Sequence, residues 1–206
     1  MMKDRWQTLW HKLATPKVPH DVLDELLRAY AAPNRFYHNF THIQDCLVIF
    51  DQTSFLAAHP AEVELAIWFH DAIYDTRRGD NEQKSAEWAE AVVRQAGLST
   101  EVAERVAASI LATRHQGEVT DRDTQLLVDV DLSILGREPD VFWRYEENIR
   151  KEYAWVPQDV FRRERFKILR GFLDRQHIYC HREYRERFES RARSNLEQAI
   201  ARLSGT

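Results

Sequence analysis

Apolar residues recur at intervals of three and four along most of the chain, and that spacing predicts helices. Trp6, Leu9, Trp10 and Leu13 make one stripe, ended by Pro16. Val22, Leu23, Leu26, Leu27 and Tyr30 make a second, closed before Pro33. Thr41 with Gln44 three residues later has the form of a capping box, and Ile43, Leu47, Val48 and Phe50 continue the helix it would open. A helix from about residue 62 runs into His70 and Asp71. After a loop around 77–80, a helix spans about 81–95 and stops at Gly97. Ser99 or Thr100 can cap the next, which extends to about 113. Residues 126–135 read as a helix ending at Gly136. Pro139 and Pro157 stand where first-turn prolines belong, and the helices after them reach about 151 and 176. A last helix covers about 184–203. The expectation is an all-α, single-domain helical bundle over 1–206, with a core at about 28–175 and a C-terminal helical extension at 180–204.

The 206 residues contain neither an internal repeat nor an apolar run of membrane-spanning length. Met1 to Lys12 is charged and aromatic, unlike a secretory signal. The two cysteines, Cys46 and Cys180, make a disulfide framework an unlikely design, so a cytoplasmic setting is expected. The net charge of -4 argues against general nucleic-acid binding. The charge is uneven, however: residues 1–136 carry 13 basic and 21 acidic side chains, and residues 137–193 carry 15 and 11. An acidic part beside an arginine-rich part suits a metal-dependent enzyme acting on phosphate, and equally a set of solvated helix faces. The arginines at 182–193 alternate with Glu183, Glu186 and Glu189, the pattern of a salt-bridged exposed helix. Such a helix could also serve as a homodimer surface or an RNA contact.

The residues with the most chemistry in them are His70 and Asp71, side by side at the end of Ala66-Ile67-Trp68-Phe69. An imidazole and a carboxylate on consecutive residues can share one cation. His42, with His38 as its rival, lies upstream, and Asp131, with Asp129 as its rival, lies downstream. A mixed nitrogen and oxygen set suits a divalent ion such as Mn, Mg, Fe, Co, Ni or Zn. No Walker-type glycine loop, serine-nucleophile elbow or paired-cysteine zinc motif is present.

Several words of the chain come in a telling order: Arg35-Phe36-Tyr37-His38-Asn39-Phe40-Thr41-His42-Ile43, then Trp68-Phe69-His70-Asp71-Ala72-Ile73-Tyr74-Asp75, then Asp80-Asn81-Glu82 with Ser85-Ala86. Thr113 and His115 follow, and then Asp129, Asp131 and Leu132 with Leu135-Gly136. Over roughly residues 28–175 this set resembles the HD superfamily of helical metal-dependent phosphohydrolases, and in particular a bacterial subgroup of that kind. The resemblance implies His42, His70, Asp71 and Asp131 as metal ligands, and it favours Asp131 over Asp129. It implies Asp71, Glu82 and His115 as catalytic residues, with Glu82 helping to activate water and His115 orienting a phosphate or protonating a leaving group. Arg35, with its forked donors, His38 and Arg114 are the expected substrate contacts. Ser85 could line the pocket, and Tyr37, Trp68 and Tyr74 could stack on a base or simply pack. The expected function is hydrolysis of a small phosphorylated molecule, a nucleotide for preference. The alternative is a non-catalytic metal-containing module that binds a nucleotide.

Overall fold

The computed structural model describes residues 2–15 and 18–205, and among these all regular structure is helical. Pro16, the expected end of the first helix, lies outside the described residues. Contacts divide the chain into two compact units, residues 1–130 and 131–206.

The first unit is built around α4 (Pro60–Phe69), which packs against α1 (Met2–Lys12), α3 (Phe40–Thr53), α5 (Asn81–Gln95) and α6 (Thr100–Ala112). The sequence explains this central place. Every residue from Val63 to Phe69 is buried, so α4 has no polar face to offer to water. Its one acidic member there, Glu64, accepts a 2.7 Å bond from Nε of Arg5. Trp68 is fully buried, with Trp6 edge-on at 5.3 Å and Phe40 tilted against it at 6.1 Å. The flanking helices are amphipathic. In α2 (His20–Tyr30) the buried residues Leu23, Leu26 and Tyr30 recur at the expected spacing. Helix α5 runs over the residues that the sequence predicts. Ser99 caps α6 by accepting from the N–H of Val102. Helix α3 differs at its start: Asn39, not Thr41, is the cap, its side chain accepting from the N–H of Thr41. The helix therefore begins at Phe40 and places His42 in its first turn.

Helix α7 (Arg122–Leu132) starts earlier than the apolar run suggests and gives way to a 3₁₀ turn, Ser133–Gly136. The division between units falls in its last turn.

The second unit contains α8 (Pro139–Glu152), α9 (Gln158–Leu173) and a helical stretch of three parts: α10 (Arg182–Tyr184), a π-helical turn (Arg185–Glu189) and α11 (Ser190–Ser204). Pro139 occupies the first turn of α8 as expected, whereas Pro157 sits one place earlier, as the N-cap of α9. Many arginines here end helices. Arg193 donates to the carbonyls of Leu173, Arg175 and Gln176 at the end of α9. Arg162 donates to those of Arg202 and Leu203 at the end of α11. Arg150 holds the carbonyls of Tyr153 and Val156 after α8. Each guanidinium satisfies carbonyls that a helix end leaves without a partner.

Candidate metal centre

The C-terminal end of α4 delivers the His70–Asp71 pair. His70 is the residue at which the helix closes, its N–H donating to the carbonyl of Ala66 at 2.9 Å. Its ring is buried, and Nδ1 lies 2.9 Å from the carbonyl oxygen of Ile67. A carbonyl can only accept, so Nδ1 carries a hydrogen and Nε2 is the nitrogen turned toward the cluster. Such an outer hydrogen bond is what fixes a metal-ligating imidazole. His42 arrives from the first turn of α3. Its Nε2 stands 3.1 Å from Nε2 of His70 and 3.5 Å from Oδ2 of Asp71, and Nε2 of His70 is 3.2 Å from the same oxygen.

These separations are those of hydrogen-bonded or ion-paired groups, and they are also compatible with a cation site. Donors about 2.1 Å from one ion, at octahedral or tetrahedral angles, stand about 3.0–3.4 Å apart. Two imidazole nitrogens and a carboxylate oxygen stand at 3.1, 3.2 and 3.5 Å, two separations within that range and one just beyond it. Asp131 rides on the end of α7, whose body belongs to the first unit. A carboxylate oxygen of it and ring nitrogens of His42 and His70 all lie within 4.8 Å of one another. Asp129, its rival, is fully buried and does not join this group. Burial favours the neutral form of the Asp71 carboxyl, but His70, His38 and His42 together outweigh it. They hold the group well below the usual carboxylate range. The carboxylate is thus ionised and ready to ligate.

Around this cluster the other candidates divide. His38 stacks on Tyr74 at 4.2 Å and contributes to the charge that keeps Asp71 ionised, so it lies at the centre. Tyr37 sits 4.7 Å from the ring of His42. Glu82 and Arg114 are placed against one another, 3.4 Å apart, each about a third exposed. His115 follows α6 in a left-handed conformation, with φ of 56°. A non-glycine residue there carries backbone strain, a frequent mark of functional positions. Replacing it with glycine should relieve the strain and raise stability by about 1 kcal/mol while removing the imidazole. Urea denaturation beside a phosphate-release assay separates the two effects. A variant less stable than the wild type would show that the ring supports the fold instead.

Arg35, the expected substrate contact, is engaged with the main chain. Only 8% exposed, it spends Nη1 on the carbonyls of His38 (3.1 Å) and Asp71 (2.6 Å) and Nη2 on that of Ala72 (2.8 Å). Its guanidinium also lies over the rings of Tyr30 and Tyr74. Arg78, in the loop after the His70–Asp71 turn, pairs with Asp80 at 2.7 Å. Trp68 belongs to the core.

Three residues have roles that the sequence reading did not assign. Tyr30 donates its hydroxyl to the carbonyl of Trp68. Ser85, fully buried, accepts from the N–H of Ile73 at 3.0 Å. Asn81 clamps Asp75 twice, accepting from its N–H and donating to its carbonyl. Together Ser85 and Asn81 fasten the loop after Asp71 to the first turns of α5. The four-residue spacing of two small polar residues was the available signal. No family model, curated protein or solved structure matches the chain.

Proposed function

We propose that the chain is an HD-type, metal-dependent phosphohydrolase whose substrate is a small phosphorylated molecule, a nucleotide for preference. The reading is carried by the convergence of Nε2 of His42, Nε2 of His70 and Oδ2 of Asp71 within 3.1–3.5 Å, close to the spacing that one cation requires. His42, His70, Asp71 and Asp131 would hold the ion. A divalent cation there supplies Lewis acidity, acidifying water and drawing charge from a phosphoryl oxygen. Asp71 contributes the negative charge of a carboxylate to the ligand set, within 3.5 Å of Nε2 of both histidines. The carbonyl of Ile67 holds His70 with Nε2 toward the cluster. His38, on its tyrosine platform beside Asp71, is the residue best placed to contact a phosphate or hand a proton to a leaving group. Glu82 and Arg114 form a pair whose members can separate, the acid toward water and the guanidinium toward phosphate. Among the described residues no helix is long and apolar enough to cross a membrane, and Cys46 and Cys180 are not joined in a disulfide. These features agree with a cytoplasmic enzyme acting on soluble substrates.

The test is elemental analysis of the purified protein together with phosphate release from nucleoside mono-, di- and triphosphates and sugar phosphates, with Mn added. One equivalent of cation is expected, with hydrolysis that a chelator abolishes and Mn restores. Failure to take up a cation overturns the reading. A bound cation with nucleotide binding but no hydrolysis would replace it with the metal-containing sensor.

A further inference from the structure

We infer that Arg35 is a positioning residue for the cation site: it sets the relative placement of the two segments that bring the histidines, and so governs metal affinity, not substrate affinity. This rests on the metal reading above.

The argument begins with where the donors go. The carbonyls of Asp71 and Ala72 follow the end of α4 and have no helical partner further on. Arg35 supplies one bond to each, at 2.6 and 2.8 Å. Its third bond, at 3.1 Å, goes to the carbonyl of His38, in the loop that enters α3. One planar group therefore ties the segment leading to His42 to the turn that contains His70 and Asp71. Tyr30 and Tyr74 face the guanidinium at 5.1 and 5.5 Å, which fixes its plane. Tyr30 adds its own bond to the carbonyl of Trp68. A cation responds to ligand spacing at the level of tenths of an ångström, and the groups that orient ligands affect affinity accordingly.

The shape of the group matters as much as its charge. A guanidinium presents several donors in a rigid plane, whereas an ammonium is a point charge on a flexible stem. Lysine at position 35 would keep a cation between the tyrosines but could not hold three carbonyls from two segments in one plane. Buried and engaged as it is, Arg35 is also poorly placed to reach a substrate anion.

The experiment uses the full chain as wild type, Arg35→Lys, Arg35→Gln and Asp71→Asn. Mn binding is titrated, the visible spectrum of the Co-loaded protein is recorded, and inorganic phosphate is titrated into the Co-loaded forms. Both Arg35 variants should bind Mn ~10–100-fold more weakly. Their Co spectra should shift, and phosphate affinity at saturating Co should stay within about twofold of wild type, the range that separates a positioning role from a tenfold ligand loss. Arg35→Lys covers the case in which Arg35→Gln does not fold. Unchanged Mn affinity and Co spectra, with phosphate binding weakened tenfold or more, would overturn the inference and return Arg35 to the substrate. Asp71→Asn separates this failure from a failure of the metal reading. If that variant keeps full Mn affinity, the site itself is wrong and the inference falls with it. If it loses Mn while the Arg35 variants keep it, only the inference falls.

Discussion

On the proposed metal-dependent reading, replacing Asp71 with alanine should remove both cation binding and phosphate release, while the helical content stays at the wild-type level. Two facts set the size of this effect. The carboxylate is one of three donors packed within 3.5 Å of each other, and neighbouring imidazoles hold it ionised. Loss of an orienting group around a metal costs ~10–100-fold in affinity, and loss of a direct ligand should exceed that. A thermal-shift measurement gives an independent readout. A ligand at 100 times its Kd stabilises a folded protein by about 2.7 kcal/mol, so Mn should raise the melting temperature of the wild type and leave Asp71→Ala unmoved. Asp71→Asn keeps the shape and removes the charge, and should behave like the alanine variant. Stoichiometric Mn in both would remove Asp71 from the ligand set.

Trp68→Ala should cost about 3–5 kcal/mol, the largest loss of stability expected from a single side chain near the site. The ring is fully buried and packs edge-on against Trp6 and obliquely against Phe40, so α1 and α3 both close on it. Truncation leaves a void that rigid helices cannot close. For a chain of this length the melting temperature should fall by about 10–15 °C. Trp68→Phe should cost much less. It retains most of the packing and removes an indole N–H that meets no acceptor among the described residues. Calorimetry on the metal-free proteins measures both. A loss below 1 kcal/mol for the alanine variant would mean that the tryptophan cluster is not what holds α4 in place.

Much of this arrangement was legible before any coordinates. The apolar period places α5 at its observed ends because Gly97 and Ser99 mark its surroundings in a language of local chemistry. The adjacency of His70 and Asp71 was enough to single them out; His42 stands beside both, and Asp131 groups with His42 and His70. What escaped the sequence depends on partners far along the chain. Thr41 and Gln44 have the form of a cap, but Asn39 reaches the N–H of Thr41 first, and only backbone conformation decides between them. Arg35 looks like an anion ligand because its residue type is one. Its real partners are main-chain carbonyls, and these leave no trace in a sequence. The same holds for the arginines of the second unit. Their alternation with glutamates suggested surface ion pairs, and Arg182 does pair with Glu186. Arg193 pairs with Glu189 as well, and in addition spends two of its nitrogens on three carbonyls beyond α9.

The π-helical turn at Arg185–Glu189 has a consequence for how the chain can change in length. Tyr184, Phe188, Ala192 and Leu196 are buried and follow one another at steps of four. In an α-helix each such step overshoots a full turn by ~40°, so the row would wander round the helix. The wider turn takes up that excess. A π-turn is in effect one surplus residue stored inside a helix. The second unit thus holds a point where a wider turn is accommodated with the buried row intact. A homologue lacking that residue would run as plain α-helix here, and would have to move the aromatic positions from steps of four to a mixture of three and four.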